Sequence, residues 1–166
     1  MDEDRHVAEL YRRHVSAAAA LGAALTGDRA AGEDVAQDAF LRCVSRLGLL
    51  RNQDRFRSYL LRTVTRTVID DHRRADAERR AWSRRTTATA APAERDPITD
   101  ELLDALRKLP LRQRTAVAAR FLLDWSELQT AQAMRCRPGT VKSLTSRGLA
   151  ALRAAMGTTE TTDDRI

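Results

Sequence analysis

Apolar residues recur at three- and four-residue steps along most of this chain, and that spacing constrains its fold more than any other feature. Residues three or four apart lie on one face of an α-helix, where they can be buried together. The N-terminal stripe therefore predicts a first helix over about residues 4–25. This stripe consists of Val7, Leu10, Tyr11, Ala18, Leu21 and Leu25. Gly27 suits the left-handed backbone that ends a helix, and Asp28 suits the N-cap of the next one.

The same period predicts two more helices. One extends from Asp28 to about Leu47 and ends at Gly48. Its inward residues are Val35, Ala39, Phe40, Cys43, Val44 and Leu47. The other extends from about Asp54 to Arg74 or beyond, although its β-branched run "TVTRTVI" favours a strand when taken alone. We predict a helix, because no turn signal bounds the run and a helical stripe crosses it. That stripe is formed by Phe56, Leu60, Thr63, Val64 and Thr67.

A Thr-, Ala- and Pro-rich segment without periodicity, residues 82–97, interrupts the helical pattern. This composition predicts a flexible linker. The chain is therefore expected to contain two small helical domains, residues 1–81 and 98–157, followed by a polar tail at 158–166. Few aromatic residues, 4% of the chain, also favour an all-α fold over sandwiches or barrels.

The second domain begins with two predicted helices separated by Pro110. The second of them extends from Leu111 to about Leu122. The inward residues of the pair are Leu102, Leu103, Leu106, Leu109, Val117 and Phe121.

The stretch "WSELQTAQAMRCRPGTVKS" then predicts a helix-turn-helix. Ser126 and Gln129 have the spacing of a capping box, and Pro138 suits the first position of the second helix. The first helix turns Leu128, Ala131 and Met134 inward. Because Arg135 stands where such turns usually have Gly in a left-handed conformation, we expect a looser turn than usual.

The second helix of this motif has one packing face and one polar face. Val141 and Leu144 close the core. The exposed side is formed by Thr140, Lys142, Ser143, Ser146 and Arg147. Hydroxyls and cations at a helix start suit phosphates and base edges in a DNA major groove. The alternative is an amphipathic bundle helix with a hydrated outer face.

The charge distribution gives two basic blocks. Residues 51–85 contain 11 basic and 5 acidic residues, and residues 98–157 contain 10 and 5, whereas residues 1–50 contain 6 basic and 8 acidic residues. Two basic blocks on one small chain suggest two contacts with a polyanion. The alternative is a solvated Arg-rich surface encoded by a GC-rich genome, since Lys occurs only at positions 108 and 142.

Several function classes are excluded by the sequence. Cys43 and Cys136 lie in different predicted domains and form no Cys/His cluster, so no disulfide or metal site is predicted. His6, His14 and His72 are interpreted as surface or interface residues. No catalytic motif is present, so we expect neither enzymatic activity nor a cofactor. No apolar run of about 18 residues and no signal sequence occur, so we expect a cytoplasmic protein.

Three stretches carry a resemblance to a known family. "LTGDRAAGEDVAQDAFLRCVSRL" resembles region 2.2 of the sigma-70 family of transcription initiation factors, and "FRSYLLRTVTRTVIDDHRR" resembles regions 2.3 and 2.4. "LRKLPLRQRTAVAARFLLDWSELQTAQAMRCRPGTVKSLTSRGLAALR" resembles region 4. With region 2, a linker and region 4 but nothing between them, the chain is similar to the small extracytoplasmic function (ECF) group. Its Ala- and Arg-rich composition suggests an actinobacterium.

The resemblance implies that the second helix docks on the β′ clamp helices of RNA polymerase. The matching residues are Glu33, Asp34, Gln37, Asp38, Phe40 and Leu41. Carboxylates and an amide around an apolar anchor suit a basic coiled coil. Without the resemblance, the same pattern describes a helix with solvated carboxylates. The β flap of the polymerase and an anti-sigma factor are further partners that the resemblance implies.

The resemblance assigns the third helix to binding and melting the −10 promoter element. The matching residues are Arg57, Tyr59, Arg62, Arg66, Asp70, Arg73 and Arg74. The arginines suit phosphates, Tyr59 suits stacking on an unpaired base, and Asp70 suits orienting a neighbouring arginine. The alternative for Tyr59 is a place in the core. Relatives often have Trp at position 59 and Asn at position 66, so the −10 sequence does not transfer to this chain.

Region 4 would read the −35 element through the five exposed residues of the helix-turn-helix. Departures from the family pattern at Glu127, Gln129, Thr130 and Arg135 leave the −35 preference open.

The resemblance as a whole implies an ECF-type sigma factor that brings core RNA polymerase to promoter DNA and opens the duplex at the −10 element. Two alternatives stay open. One is a DNA-binding regulator that uses only the helix-turn-helix and needs no polymerase-docking helix. The other is a sigma-like adaptor that binds another protein without initiating transcription.

Overall fold

The computed structural model describes residues 2–46, 53–81 and 97–157, and the chain forms two compact units, Met1–Glu94 and Arg95–Ile166. All regular secondary structure in the described residues is α-helical, which confirms the all-α prediction. The first unit contains α1 (Asp2–Thr26), α2 (Arg29–Val44) and α3 (Gln53–Ala81). The second unit contains α4 (Pro97–Arg107), α5 (Leu111–Phe121), α6 (Glu127–Met134) and α7 (Pro138–Gly157).

Some sequence predictions fall outside the described residues. They concern Leu47 and Gly48, linker residues 82–96, and the tail at 158–166. Pro97, the last residue of the predicted linker, is the first residue of α4. Among the described helices, none is long and apolar enough to cross a membrane.

The turn between α1 and α2 forms as predicted. Gly27 has a φ of 76°, and the Asp28 carboxylate accepts a hydrogen bond from the Ala31 N–H at 2.8 Å. The two helices then approach backbone to backbone: a Cβ on Gly22 would lie 2.4 Å from the carbonyl oxygen of Gly32. Only glycine permits this approach, which fixes α2 against α1.

The run "TVTRTVI" is helical because its burial outweighs its local strand preference. Val64, Thr65 and Val68 are buried, and the Thr65 hydroxyl donates to the carbonyl of Leu61 at 2.9 Å. That bond satisfies a polar group that would otherwise be costly inside a core.

Two predictions about α1 are wrong. His14 was interpreted as a surface or interface residue but is buried in the core, with its ring centroid 5.8 Å from that of Phe56. Its spacing explains this, because His14 lies four residues from both Leu10 and Ala18 in the buried stripe. Tyr11 was expected inside, yet 39% of its surface is exposed, because α1 turns it toward the edge of α2.

The second unit packs α5 and α6 against α7. Val117, Ala131 and Met134 are buried as predicted, whereas Phe121 is 58% and Leu128 is 59% exposed, so both inward predictions are wrong. Trp125 is buried, and its backbone N–H donates to the carbonyl of Ala119 at 3.1 Å, two residues before α5 ends. On α6, Thr130 is also buried, although it was not predicted to face inward.

The helix-turn-helix has the usual backbone geometry. The Ser126–Gln129 capping box is present, with bonds of 3.1 and 2.8 Å. Arg135 adopts the left-handed conformation, with φ and ψ both 51°, so the expected looser turn is not observed. Pro138 is the first residue of α7, as predicted.

Candidate functional site

The exposed side of α2 carries most of the predicted polymerase-docking residues. The side chains that face solvent are Glu33, Asp34, Gln37, Asp38 and Leu41. Leu41 is 67% exposed and supplies the apolar centre of this face. Phe40 does not belong to the exposed set: only 4% of its surface is accessible, because its ring packs edge-on against Tyr11 and Phe56.

A groove of about 750 Å³ lies between α1 and this side of α2. Its lining is Asp4, Val7, Ala8, Tyr11, Arg12, Gln37, Phe40, Leu41 and Val44. Buried Phe40 thus reaches the groove from the core, and exposed Tyr11 forms part of its wall. Together with α2's carboxylates, the groove offers an apolar slot with an acidic edge. Sequence analysis missed Tyr11 here because its helical spacing had placed it in the core.

A second concave surface, the α2–α3 cleft, lies between the C-terminal end of α2 and α3. Its volume is about 300 Å³. The lining residues are Arg42, Ser45, Arg46, Tyr59, Thr63, Arg66, Thr67, Asp70, Asp71 and Arg74. Four of these are arginines and two are aspartates, so the cleft carries an excess of positive charge that suits an anionic ligand.

The cleft brings together four of the seven residues predicted for the −10 element. They are Tyr59, Arg66, Asp70 and Arg74. The other three, Arg57, Arg62 and Arg73, are not among its lining residues. The Asp70 carboxylate lies 4.0 Å from the Arg73 guanidinium, which is the kind of contact expected of an orienting carboxylate.

Sequence analysis missed the two arginines that α2 contributes to the cleft. Arg46 Nη1 donates to the Tyr59 hydroxyl at 2.8 Å, and Arg42 Nη1 donates to the Thr67 hydroxyl at 3.4 Å. Their only sequence signal is that two cations lie four residues apart near the C-terminus of a helix. That pattern is usually explained by the helix dipole and does not by itself indicate a binding site. Tyr59 itself is half-buried, so its ring lies partly in the core and partly open to a stacking base.

The polar face of α7 is open. Lys142, Ser143, Ser146 and Arg147 are exposed and Thr140 is half-exposed, while Val141 and Leu144 are buried beneath them. Arg147 Nε donates to the carbonyl of Ser143 at 3.2 Å, which holds its guanidinium along the helix. Arg137, immediately before α7, is also exposed and was not predicted as a site residue.

The groups with shifted pKa values lie away from these surfaces or beneath them. Burial raises the pKa of the Cys43 thiol, an effect partly offset by a hydrogen bond with Thr63 and by the charge of Arg46. Burial, followed by the nearby Arg107 charge, lowers the pKa of Arg114. Its guanidinium donates to the carbonyls of Arg107 and Leu109 at 3.1 and 3.0 Å, so this residue caps the end of α4.

Comparison with known proteins identifies the two units. The family described as Sigma-70 region 2 matches residues 10–78, and the family described as Sigma-70, region 4 matches residues 99–152. The ECF RNA polymerase sigma factor SigL of Mycobacterium tuberculosis is 31% identical over 153 residues, covering 89% of this chain and 86% of SigL.

Two further similarities were found. The ECF RNA polymerase sigma factor BldN of Streptomyces coelicolor is 31% identical over 134 residues, 76% of this chain, and this chain spans about half (51%) of BldN. Among solved structures, the sigma factor RpoE of Bartonella quintana, in complex with the anti-sigma factor NepR, has the same fold. It gives a TM-score of 0.70 at 18% identity over 98% of this chain and 99% of that chain. The chain belongs to the ECF group of the sigma-70 family.

Proposed function

We propose that this protein is a promoter-specific initiation factor that binds core RNA polymerase through its first unit and promoter DNA through both units. It acts as a non-catalytic subunit in the cytoplasm, and the polymerase supplies the chemistry. Two modest DNA contacts held on one polymerase gain affinity through effective concentration.

The observation that carries the proposal is that α2 joins two different surfaces. Its middle presents carboxylates and Leu41 beside the α1–α2 groove, and its C-terminal end supplies arginines to the α2–α3 cleft. A regulator that used only the helix-turn-helix would need neither surface. An initiation factor needs both, one for a basic coiled coil and one for the −10 element.

The proposed −10 contacts follow from the chemistry of the cleft. The aromatic face of Tyr59 suits an unpaired base, and such stacking contributes about 1–3 kcal/mol per base. The two arginines that α3 contributes to the cleft, Arg66 and Arg74, suit the backbone of the same strand. Arg57, Arg62 and Arg73 would extend this contact along α3, outside the cleft.

The proposed −35 contacts lie on α7. Lys142 and Arg147 suit phosphates or guanine edges, and Thr140, Ser143 and Ser146 suit phosphate oxygens or base edges. The N-terminus of α7 adds a partial positive charge for a phosphate.

Further protein partners are proposed for the exposed apolar residues. Phe121, Leu122 and Leu128 are each at least half exposed at the end of α5 and the start of α6. We assign them to the β flap of the polymerase, because large apolar side chains left on a surface suit a protein contact. An anti-sigma factor is proposed as a regulator, by analogy with the Bartonella sigma factor bound to NepR.

The polymerase-docking proposal is tested by the double variant Asp34→Ala/Gln37→Ala. Both side chains are exposed, so the fold should persist while binding to immobilised core polymerase falls at least tenfold. Glu101→Ala removes the same charge from α4 and should bind like the wild type. Equal binding of all three proteins would favour the helix-turn-helix regulator instead.

A further inference from the structure

We propose that Arg46 is a positioning residue for Tyr59, which it fixes in the orientation that receives an unpaired base. This inference rests on the proposed −10 function of the α2–α3 cleft and adds a residue to it. Arg46 lies just after α2, outside the stretch of α3 that the resemblance assigns to this element, and its guanidinium is within hydrogen-bond distance of the Tyr59 hydroxyl.

Donor and acceptor chemistry makes the pair specific to tyrosine. Arginine is only a donor, so in the 2.8 Å bond between Arg46 Nη1 and Tyr59 Oη the phenol accepts. The phenolic proton then remains available to donate to the DNA. A tryptophan at position 59 would offer only an N–H donor and could not accept from Arg46. Of these two aromatic residues, only tyrosine can therefore accept this bond.

Side chains at the C-terminal end of α2 contact a single row of side chains on α3. Tyr59, Thr63 and Thr67 lie at four-residue steps and line the same cleft. Arg46 contacts the first, the Cys43 thiol lies 3.8 Å from the hydroxyl of the second, and Arg42 contacts the third.

A second link fixes the backbone of Tyr59. The Thr63 hydroxyl donates to the Tyr59 carbonyl at 2.8 Å. Tyr59 is thus restrained at its carbonyl by its own helix, and at its hydroxyl by Arg46. Since the ring is only half-buried, packing alone leaves it freedom that the Arg46 bond removes.

The test is a double-mutant cycle on holoenzyme, using a promoter whose start site has been mapped with the wild-type protein. Permanganate reactivity of thymines in the −10 region measures the rate of duplex opening. Arg46→Ala and Tyr59→Phe each remove the same hydrogen bond, so each should slow opening about two- to tenfold. The combination should open no more slowly than Tyr59→Phe alone, and Arg46→Ala should have no effect in a Tyr59→Trp background.

Controls separate positioning from charge and from folding. Arg46→Gln keeps an N–H donor without the charge and should recover part of the opening rate, whereas Arg5→Ala, which removes an exposed cation on α1, should change nothing. Thermal unfolding of each variant should match the wild type.

Equal slowing by Arg46→Ala in the Tyr, Phe and Trp backgrounds would overturn the inference, because it would mean that Arg46 acts on DNA by itself. If wild-type holoenzyme yields no mapped start site, the proposed function fails first, and the inference fails with it.

Discussion

At the scale of single residues, Arg135 holds a backbone conformation that its side chain disfavours. Its φ of 51° lies in the left-handed region, which costs a non-glycine residue about 1 kcal/mol. Arg135→Gly should therefore raise the free energy of unfolding by roughly 0.5–1 kcal/mol in urea titration. Ala150→Gly, at an exposed site within α7, should lower it by about 1 kcal/mol. A lower free energy of unfolding in both variants would contradict the relief of backbone strain at position 135.

The two thiols should differ in reactivity. Cys43 is fully buried and burial raises its pKa, so less of it is thiolate at any given pH, whereas Cys136 is partly exposed. With iodoacetamide at pH 8, Cys136 should be alkylated first, and Cys43 should react only after unfolding. Peptide mass spectrometry measures both rates, and similar rates in the native protein would contradict the burial of Cys43.

Helical periodicity predicted the burial of some residues correctly and that of others wrongly, and the reasons are physical. His14 followed the buried stripe of α1 and could have been assigned from spacing alone, had its polarity not outweighed its position. Leu128 shows the opposite error: its apolar side chain suggested the core, but it is 59% exposed, whereas the nearby Trp125 and Thr130 are buried. Hydrophobicity describes a side chain, whereas burial depends on what the neighbours leave open.

At the scale of elements, close helix packing depends on small residues. A Cβ on Gly148 would lie 2.7 Å from Val117 Cγ2 on α5, whereas one on Gly139 would meet nothing within 4 Å. Gly148→Ala should therefore destabilise the protein by about 1–3 kcal/mol. Gly139→Ala, also in α7, should be neutral or stabilise it by up to about 1 kcal/mol. Urea titration compares them, and equal effects would contradict the packing of α7 on α5.

Element positions were predictable to within a few residues, because caps and turns carry local signals. Gly27, Asp28, the Ser126–Gln129 box and Pro138 all act locally, and each lies where its chemistry suggested. The α2–α3 cleft was only half predicted, because it forms where two helices meet. The family resemblance supplied Tyr59 and Arg66 on α3, but Arg46 reaches Tyr59 only through tertiary packing, which no spacing along the chain reveals.

At the scale of the whole molecule, promoter binding by the protein without polymerase should be weak and sensitive to salt. With about five phosphate contacts in each unit, log K for one unit should fall with a slope of about −4 to −5 against log salt. Fluorescence anisotropy with a labelled promoter duplex measures this slope. Tight binding that salt does not weaken would contradict a mainly electrostatic contact.

The chain's two lysines offer a matched test of where region 4 meets DNA. Lys142 lies on the polar face of α7, and Lys108 is exposed just after α4. Lys142→Ala should reduce the salt slope by about one, whereas Lys108→Ala should leave it unchanged. A reduced slope with Lys108→Ala alone would place the DNA on another face of this unit.

The most direct test of the account is in vitro transcription with purified core RNA polymerase and genomic fragments, followed by mapping of transcript starts. The protein should give discrete start sites preceded by shared −35 and −10 sequences, and Asp34→Ala/Gln37→Ala should abolish them. Core polymerase that starts at the same positions with and without the protein would contradict its role as an initiation factor.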